Sequence, residues 1–177
     1  VDKCIEDISR AAGLMQEKKV GALIVFERKT QLGEIVDTGT VIEAKVSPSM
    51  INNIFFPNSP LHDGAMLIRD GRILAAGCIL PLTQREDISL QLGTRHRAAI
   101  GMTENSDAVV LVVSEETGII SIVANGEIRR NFSPTSACAE LKRLILEDNQ
   151  GEDKSSKKIF GFLKKDKKEA EKGADEK

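Results

Sequence analysis

The chain has 177 residues, a formal net charge of −2 and a hydrophobic fraction of 41%. It contains no run of eighteen apolar residues, so none of its segments is expected to span a membrane. The near-zero net charge and the absence of Trp and Tyr disfavour a nucleic-acid-binding protein, which needs a basic stripe and stacking side chains. Cys4, Cys78 and Cys138 form no C-x-x-C pair, which disfavours a disulfide framework and a zinc site and indicates a reducing compartment.

The two ends of the chain differ from its body. The sequence begins at Val1 without an initiator Met, and we interpret it as a piece of a longer protein. From Gly151 onward Lys, Glu and Asp dominate, around a small apolar island at Ile159–Leu163. Such a segment buries too little surface to offset its ordering entropy, so residues 151–177 are predicted to be a mobile charged tail behind one domain at residues 1–150. The alternative is that the island docks on the domain or on a partner.

The first half of the body predicts a helix, a strand, a second helix and a hairpin. A helical stripe is formed by Ile5, Ile8, Ala12 and Met15. Gly21–Glu27 is a short apolar run typical of a buried strand. Ser47 and Pro48 are typical of the N-cap and first residue of a short helix. Asp70-Gly71 stands between two apolar runs and predicts a hairpin turn, because both residues tolerate positive φ.

The second half predicts a helix, further strands and a closing helix. Leu92–Glu104 is expected to be a helix entered through Gly93, with Thr94 as its N-cap, and Asp107–Glu116 is expected to be a buried strand. Turns at Thr117-Gly118 and Asn125-Gly126 enclose a strand at 119–124. Ser133-Pro134 begins the last helix, whose inner face carries Leu141, Leu144 and Ile145. The predicted fold class is therefore α/β, with a mixed β-sheet flanked by helices.

Three polar clusters lie at predicted strand ends and helix starts, where α/β folds bind ligands. One cluster, His62-Asp63-Gly64-Ala65, opens a strand. Another, Gly93-Thr94-Arg95-His96-Arg97, opens a helix. The third, Ser114-Glu115-Glu116, closes a strand.

The helix-opening cluster predicts a phosphate site. Cations at a helix N-terminus are disfavoured by about 0.3–1 kcal/mol, so two Arg and a His are unfavourable there unless an anion is bound. A phosphate could be bound there by the free backbone N–H groups, the Thr94 hydroxyl and the guanidinium groups of Arg95 and Arg97. The alternative is that both Arg side chains point to solvent while His96 faces solvent or packs without a ligand.

The acidic clusters are compatible with metal or proton chemistry. Asp63 next to a phosphate site would hold a divalent metal or accept a proton from a hydroxyl, and His62 and Glu116 could complete the metal shell. Taken alone, Asp63 is more typical of a turn residue or a cap, and Ser114-Glu115-Glu116 is typical of a hairpin leading into Thr117-Gly118.

Taken together, the clusters resemble the diadenylate cyclase family, the enzymes that make cyclic di-AMP. The family has two characteristic motifs, Asp-Gly-Ala and, about thirty residues later, Arg-His-Arg. In this sequence they occur as Asp63-Gly64-Ala65 and Arg95-His96-Arg97. The stretches GALIVFE, FPNSPLHDGA, LGTRHRAAIG and VVSEETG are similar to the membrane-anchored bacterial branch, and the resemblance covers about residues 1–147. It implies that the longer protein is anchored in the cell membrane, with this domain on the cytoplasmic side and with regulatory protein partners.

The resemblance also implies a reaction and residue roles. Two ATP molecules would face each other across a homodimer, and each 3′-hydroxyl would attack the other α-phosphate to give cyclic di-AMP and two pyrophosphates. Asp63 would act with Mg²⁺ or Mn²⁺ to activate the hydroxyl, and His62 would lie at the same metal. The triphosphate would be held by Thr94, Arg95, His96 and Arg97, with Ser114 and Glu116 beside it.

The resemblance leaves the adenine contact and the function class less defined. Gly64 and Ala65 would let the backbone approach the nucleotide, and Leu80 would lie against the adenine. Some relatives place a tyrosine there, and this chain has none, so Ile79 or a Phe would supply the apolar contact. The competing hypothesis is a non-catalytic module that binds a nucleotide or a cyclic dinucleotide without a metal.

Overall fold

In the computed structural model, which describes residues 1–147, a seven-stranded sheet runs in the order β2-β4-β3-β1-β5-β6-β7. The strands are β1 (Ala22–Phe26), β2 (Thr40–Lys45), β3 (Ala65–Arg69), β4 (Arg72–Cys78), β5 (Val109–Val113), β6 (Ile120–Ala124) and β7 (Glu127–Phe132). The helices are α1 (Asp2–Lys18), α2 (Gly33–Val36), α3 (Pro48–Ile54), α4 (Thr94–Glu104) and α5 (Pro134–Lys142), and a π-helical turn follows at Arg143–Glu147. The predicted tail at 151–177 and the domain boundary at 150 lie outside the described residues.

The sheet is mixed, as the sequence predicted. β1 and β3 are parallel neighbours, with Ile24 opposite Met66, whereas β1 and β5 are antiparallel, with Ala22 opposite Val113. The remaining neighbouring pairs are antiparallel. This arrangement, with helices on both faces, confirms the predicted α/β class.

Both faces of the central strands are buried, because the side chains of a strand alternate between the two faces of its sheet. In β1, Ile24 packs with α1, α3 and α5 on one face, while Leu23 and Val25 pack with α2 and α4 on the other. The stripe of α1 lies against the first face with all four predicted residues buried. Two hydrophobic layers therefore cover the sheet and fix where the helix ends point.

Local sequence signals place the turns and caps. Asp70 and Gly71 have φ of 51° and 75°, and Asn125 has φ of 51°, as the predicted hairpin turns require. The Ser47 side chain accepts a hydrogen bond from the Met50 N–H at 3.2 Å, so it caps α3 as predicted. The predicted helix over 92–104 is confirmed with one correction: Gly93, not Thr94, is the N-cap residue, and no side chain caps α4.

Three elements were not predicted from the sequence: β2, α2 and β7. Both strands lie at the edges of the sheet and expose alternate residues, and Val41 in β2 is 57% exposed. Edge strands carry too few buried residues to produce a strong apolar run. At the other end of the described chain, Leu144 and Ile145 belong to the π-helical turn and not to α5.

Within residues 1–147, the longest and most apolar helices fall short of what a membrane crossing requires. The three cysteines are free, in agreement with the prediction that they form no disulfide.

Candidate functional site

The sheet topology brings the three polar clusters to one end of the molecule. β1 and β3 are parallel, so the residues before β1 and before β3 lie at the same end of the sheet. β4 and β5 run antiparallel to these strands, so the residues that follow them reach the same end. Asp63 before β3, Leu80 after β4 and Ser114 after β5 therefore share one end with the start of α4.

A pocket of about 80 Å³ lies between the start of α4 and the turn after β5; we call it the α4 pocket. Its lining residues are Gln91, Gly93, Thr94, Arg95, His96, Ser114, Glu115 and Glu116. The first backbone N–H groups of α4 have no partner within the helix and carry its positive dipole end. Together with Arg95, they make this pocket suited to an anion.

Arg95 is held across the start of β1. Its Nη1 lies 3.2 Å from Oε2 of Glu115, and its side chain is mostly buried. A Cβ added at Gly21 would lie 2.6 Å from Cζ and Nη1 of Arg95, so the guanidinium occupies the space above this glycine. Gly21 is a site residue that the sequence reasoning missed; its signal was a glycine directly before a buried strand.

His96 is the most buried polar side chain of the α4 pocket, with 4% of the residue exposed. Within the described residues neither ring nitrogen has a hydrogen-bond partner. Burial, followed by the charges of Arg130 and Arg95, lowers the pKa of His96 to about 4. The imidazole is therefore neutral near pH 7, with one nitrogen able to donate a hydrogen bond and the other able to accept one.

The turn after β5 is shaped by Ser114. Its Oγ accepts hydrogen bonds from the N–H groups of Glu116 and Thr117, each at 3.3 Å. The hydroxyl hydrogen of Ser114 remains available to a ligand in the α4 pocket. Glu116 is exposed at the rim of the same pocket. The segment forms the turn between the antiparallel strands β5 and β6, as predicted, and it also lines the α4 pocket.

Asp63 and His62 lie in the bends that lead into β3, outside the lining of the α4 pocket. Asp63 is exposed. The His62 Nδ1 lies 2.6 Å from the carbonyl oxygen of Ser59, and it must donate to that oxygen. The lone pair on Nε2 is then free to bind a metal, the arrangement commonly seen for metal-binding histidines.

Gly64 and Ala65 have structural roles within the chain itself. Gly64 has φ of +135°, and a Cβ there would lie 2.7 Å from the carbonyl carbon of Gly77. The close approach of β4 thus requires this glycine, independently of any nucleotide. Ala65 is fully buried, so neither its side chain nor its backbone is exposed to a ligand.

The segment after β4 presents two apolar side chains in opposite ways. Leu80 is 7% exposed and packs in the hydrophobic layer beneath α4, whereas Ile79 is 69% exposed. The Ile79 N–H donates to Oγ1 of Thr38 at 2.8 Å, which fixes the backbone at that point. Ile79, one of the two alternatives considered from the sequence, is better placed than Leu80 to present an apolar surface to a ligand.

The structure thus joins five predicted site residues in the α4 pocket and leaves the others outside its lining. Those joined are Thr94, Arg95, His96, Ser114 and Glu116. Arg97 is half-buried on α4, where its carbonyl oxygen accepts from the Thr83 N–H at 3.1 Å, and it does not line the pocket. Gln91 and Glu115 line the pocket and were not predicted as ligand-binding residues.

No group of three or more His, Cys, Asp or Glu side chains is arranged to hold a metal ion within residues 1–147. Asp63 and His62 offer one carboxylate and one imidazole. That set fits a divalent cation that takes its remaining ligands from a bound phosphate and water, which is how Mg²⁺ is commonly held.

The chain matches a known protein family over most of its body. The DAC family, described as DisA bacterial checkpoint controller nucleotide-binding, matches residues 9–128. The match includes every residue of the α4 pocket, together with His62 and Asp63.

Named relatives show the same similarity. The chain is 46% identical over 131 residues to "Cyclic di-AMP synthase CdaA" of Bacillus subtilis, covering 74% of this chain and 48% of that protein. It is 42% identical over 144 residues to "Diadenylate cyclase" of Listeria monocytogenes, covering 81% of this chain and 51% of that protein. The chain therefore spans about half the length of these curated relatives.

Solved structures agree with the fold. The crystal structure of a double mutant of DacA from Staphylococcus aureus superposes with a TM-score of 0.79 at 43% identity, covering 81% of this chain and 96% of that one. The structure of a hypothetical membrane spanning protein from Bacillus cereus superposes with a TM-score of 0.69 at 45% identity, covering 71% of this chain and 62% of that one.

Proposed function

Because this chain belongs to the DAC family, we propose that it is the catalytic domain of a diadenylate cyclase, which condenses two ATP molecules into cyclic di-AMP and two pyrophosphates. The observation that carries the proposal is the α4 pocket, in which Arg95 and the buried His96 meet the N-terminus of a helix. The names of the relatives support the same reaction.

In this proposal the α4 pocket binds the triphosphate of ATP. The backbone N–H groups at the start of α4 and the Arg95 guanidinium provide positive charge, and the hydroxyl groups of Thr94 and Ser114 donate hydrogen bonds. His96 donates one further hydrogen bond as a neutral imidazole. Arg97 would contribute through its charge from the next position on α4. Fixed donors of this kind stabilise the charge that develops on phosphate oxygens during the transfer.

The chemical step is assigned to Asp63. The 3′-oxygen of one ATP attacks the α-phosphorus of the other, and the bond to the pyrophosphate oxygen breaks. The hydroxyl proton passes to the Asp63 carboxylate, which is exposed and accessible to a substrate. The same transfer in the opposite direction closes the ring and releases the second pyrophosphate.

We assign the divalent metal, Mg²⁺ or Mn²⁺, to Asp63 and to Nε2 of His62. Once bound, such an ion lowers the pKa of a coordinated hydroxyl and neutralises phosphate charge. The orientation of His62 is already fixed by its hydrogen bond to the Ser59 carbonyl oxygen. The rest of the metal shell would come from the substrate and water.

The reaction requires two active sites that face each other. One domain carries one α4 pocket and one Asp63, and it can hold one ATP in the proposed orientation. A two-fold homodimer supplies the second ATP and makes the two bond-forming steps equivalent. We further propose that this assembly lies at the cytoplasmic side of the cell membrane with regulatory protein partners. The similarity to a structure described as a hypothetical membrane spanning protein supports the membrane part of this proposal.

Incubation with ATP and either MgCl₂ or MnCl₂, followed by mass spectrometry, tests the function. The expected products are cyclic di-AMP and pyrophosphate in a ratio of one to two. The alternative function, a module that binds a nucleotide or cyclic dinucleotide without turnover, predicts binding in the presence of EDTA and no new product. That outcome would overturn the assignment of Asp63 as a catalytic residue.

A further inference from the structure

Glu115 contacts the guanidinium of Arg95 inside the α4 pocket. Oε2 of Glu115 lies 3.2 Å from Nη1 of Arg95, and both residues line the pocket. The Arg95 side chain is 20% exposed, whereas the Glu115 side chain is 66% exposed. One partner of this ion pair is therefore embedded in the wall of the pocket, and the other reaches it from the solvent side.

The charges that line the pocket make this contact important for an anion. In the described part of the chain, the lining contains one guanidinium, that of Arg95, and two carboxylates, those of Glu115 and Glu116. Burial lowers the pKa of His96 to about 4, so its imidazole is neutral near pH 7. An anion that enters is attracted by Arg95 and by the start of α4, and it is repelled by the carboxylates. Its affinity therefore depends on what Arg95 contacts before the anion arrives.

The backbone that carries Glu115 is held on several sides. The Ser114 N–H donates to the carbonyl oxygen of Ile119 at 3.1 Å, and the Gly118 N–H donates to the carbonyl oxygen of Ser114 at 2.9 Å. Gly118 has φ of +75°, and a Cβ there would lie 2.5 Å from the carbonyl oxygen of Gln16. The turn is therefore closed on itself and packed against the end of α1, so Glu115 changes partner by rotation of its own side chain.

Arg95 has less freedom than Glu115. Its guanidinium fills the space over Gly21, where an added Cβ would lie 2.6 Å from Cζ and Nη1. The Glu115 side chain is surrounded mostly by solvent. When a ligand replaces one partner of this ion pair, the carboxylate is therefore the group that moves away, and the guanidinium keeps its place.

From this geometry we propose that Glu115 is a positioning residue that takes the place of a phosphate group. Its carboxylate occupies Arg95 in the empty pocket, rotates out when a triphosphate binds, and returns when pyrophosphate leaves. Carboxylate and phosphate oxygens are alternative acceptors for the same guanidinium donors, so the two compete directly. The inference rests on the proposed function in naming ATP and pyrophosphate as the ligands.

This competition lowers affinity and speeds release. The apparent Kd of an anion equals its intrinsic Kd divided by the fraction of molecules in which Arg95 is available. Exposed ion pairs typically shift such an equilibrium by a factor of about 1.4 to 5. Loss of the Glu115 contact should therefore tighten anion binding by about threefold and lengthen the time that pyrophosphate stays bound.

Two variants of Glu115 separate competition from simple repulsion. Glu115→Gln removes the charge, whereas Glu115→Asp keeps the charge and withdraws the carboxylate from Arg95 by one methylene. Both should lower the Kd for inorganic triphosphate by about threefold, as measured by calorimetry with EDTA present. A general repulsion of anions would tighten binding in Glu115→Gln alone, and that result would overturn the proposal.

Glu127→Gln is the matched control for the change in net charge. Glu127 is exposed and begins β7. β1 and β6 are both antiparallel to β5, so the end of β6 and the start of β7 lie at the opposite end of the sheet from the α4 pocket. The Kd of this variant should equal that of the wild type. Equal tightening in Glu127→Gln and Glu115→Gln would assign the effect to net charge and would overturn the role of Glu115.

Inhibition by pyrophosphate gives a second readout, which a merely structural glutamate would not strengthen. In steady-state assays, Glu115→Asp should be inhibited by pyrophosphate at about one third of the wild-type concentration. Its melting temperature should stay close to that of the wild type, because the side chain is exposed. Weaker binding of triphosphate in both Glu115 variants would show that Glu115 holds Arg95 in its binding orientation, and it would overturn the proposal.

The two proposals fail in different ways. If the wild type makes no cyclic di-AMP while both Glu115 variants bind inorganic triphosphate more tightly, the proposed function fails and the role of Glu115 in an anion site stands. If the wild type makes cyclic di-AMP and neither variant binds more tightly, the role of Glu115 fails and the proposed function stands. Absence of triphosphate binding in all of these proteins would also overturn the role of Glu115.

Discussion

The guanidinium of Arg95 lies directly over Gly21, where an added Cβ would be 2.6 Å from Cζ and Nη1. Because the group that would collide is the far end of a flexible side chain, Gly21→Ala should displace Arg95 and leave the fold intact. We expect a change in melting temperature below about 3 °C. Triphosphate affinity, measured by calorimetry, should fall about tenfold because charge-assisted hydrogen bonds are lost.

Gly33→Ala is the control for this experiment, since a Cβ at Gly33 meets no atom within 4 Å. It should leave both the melting temperature and the affinity unchanged. A Gly21→Ala protein that binds triphosphate as well as the wild type would show that the position of Arg95 over Gly21 is not needed for the pocket.

Asp63→Asn keeps the shape of the side chain and removes its charge. If Asp63 accepts the hydroxyl proton, kcat should fall by about 10²-fold or more. ATP binding should survive, because the α4 pocket does not include Asp63. Asp70→Asn makes the same chemical change in the hairpin turn between β3 and β4, at a φ of 51° that Asn also tolerates, and should retain full activity. Near-normal synthesis by Asp63→Asn would rule out its assigned role.

The adenine contact can be assigned by comparing two neighbouring residues. Ile79→Ser should raise KM for ATP about fivefold with little change in stability, because Ile79 is exposed. Leu80→Ala should destabilise the fold by about 2 kcal/mol, because it removes buried apolar volume. Chemical denaturation and steady-state kinetics on both variants separate the effects. If KM for ATP changes in Leu80→Ala and not in Ile79→Ser, Leu80 and not Ile79 contacts the adenine.

Stability at acid pH should depend on a pair far from the pocket. Burial alone would raise the pKa of Glu27, but hydrogen bonds from Arg69 and from the Leu32 N–H lower it below the usual 4.5. The Arg69 Nη2 lies 2.8 Å from Oε2 of Glu27, whose side chain is 4% exposed. A carboxylate with a lowered pKa stabilises the fold above its unfolded pKa, and this contribution is lost as the pH falls through 4.5 and below.

Arg69→Gln should therefore lower the free energy of unfolding by about 2 kcal/mol at pH 7. The difference from wild type should shrink as the pH falls from 6 to 3, as measured by urea denaturation. Arg72→Gln is the control, because the exposed Arg72 donates to a backbone carbonyl oxygen, that of Glu43. A difference from wild type that stays constant over this range would show that Glu27 does not titrate with folding.

The proposal that synthesis requires a homodimer can be tested with mixed dimers. A wild-type chain paired with an Asp63→Asn chain has one working half-site, so it should make the first bond and release the linear triphosphorylated dinucleotide. Titration of excess Asp63→Asn into wild type should lower the cyclic product and raise the linear one, as followed by liquid chromatography. Specific activity of the wild type alone should fall on dilution. Flat activity on dilution, with no linear product, would mean that one chain completes the reaction.

The local elements of this protein follow from its sequence, because their signals act over a few residues. Backbone conformation is fixed by neighbours close in the chain at the apolar run Gly21–Glu27, at the Asp70-Gly71 pair and at the Ser47 cap. The same holds for the two short motifs around Asp63 and Arg95, which were enough to indicate the family. Edge strands such as β7 were missed because their stability comes from pairing with a strand and not from their own apolar pattern.

Tertiary structure alone decided how these parts meet. Strand order and the packing of α4 place Arg95 over Gly21 and leave Asp63 outside the α4 pocket. They also bury Leu80 while Ile79 remains exposed. The face of the sheet that Phe132 occupies depends on one extra residue in β7, which a sequence pattern of period two cannot show. Side-chain direction in a sheet is set by pairing register, and register is a property of two strands brought together by the whole fold.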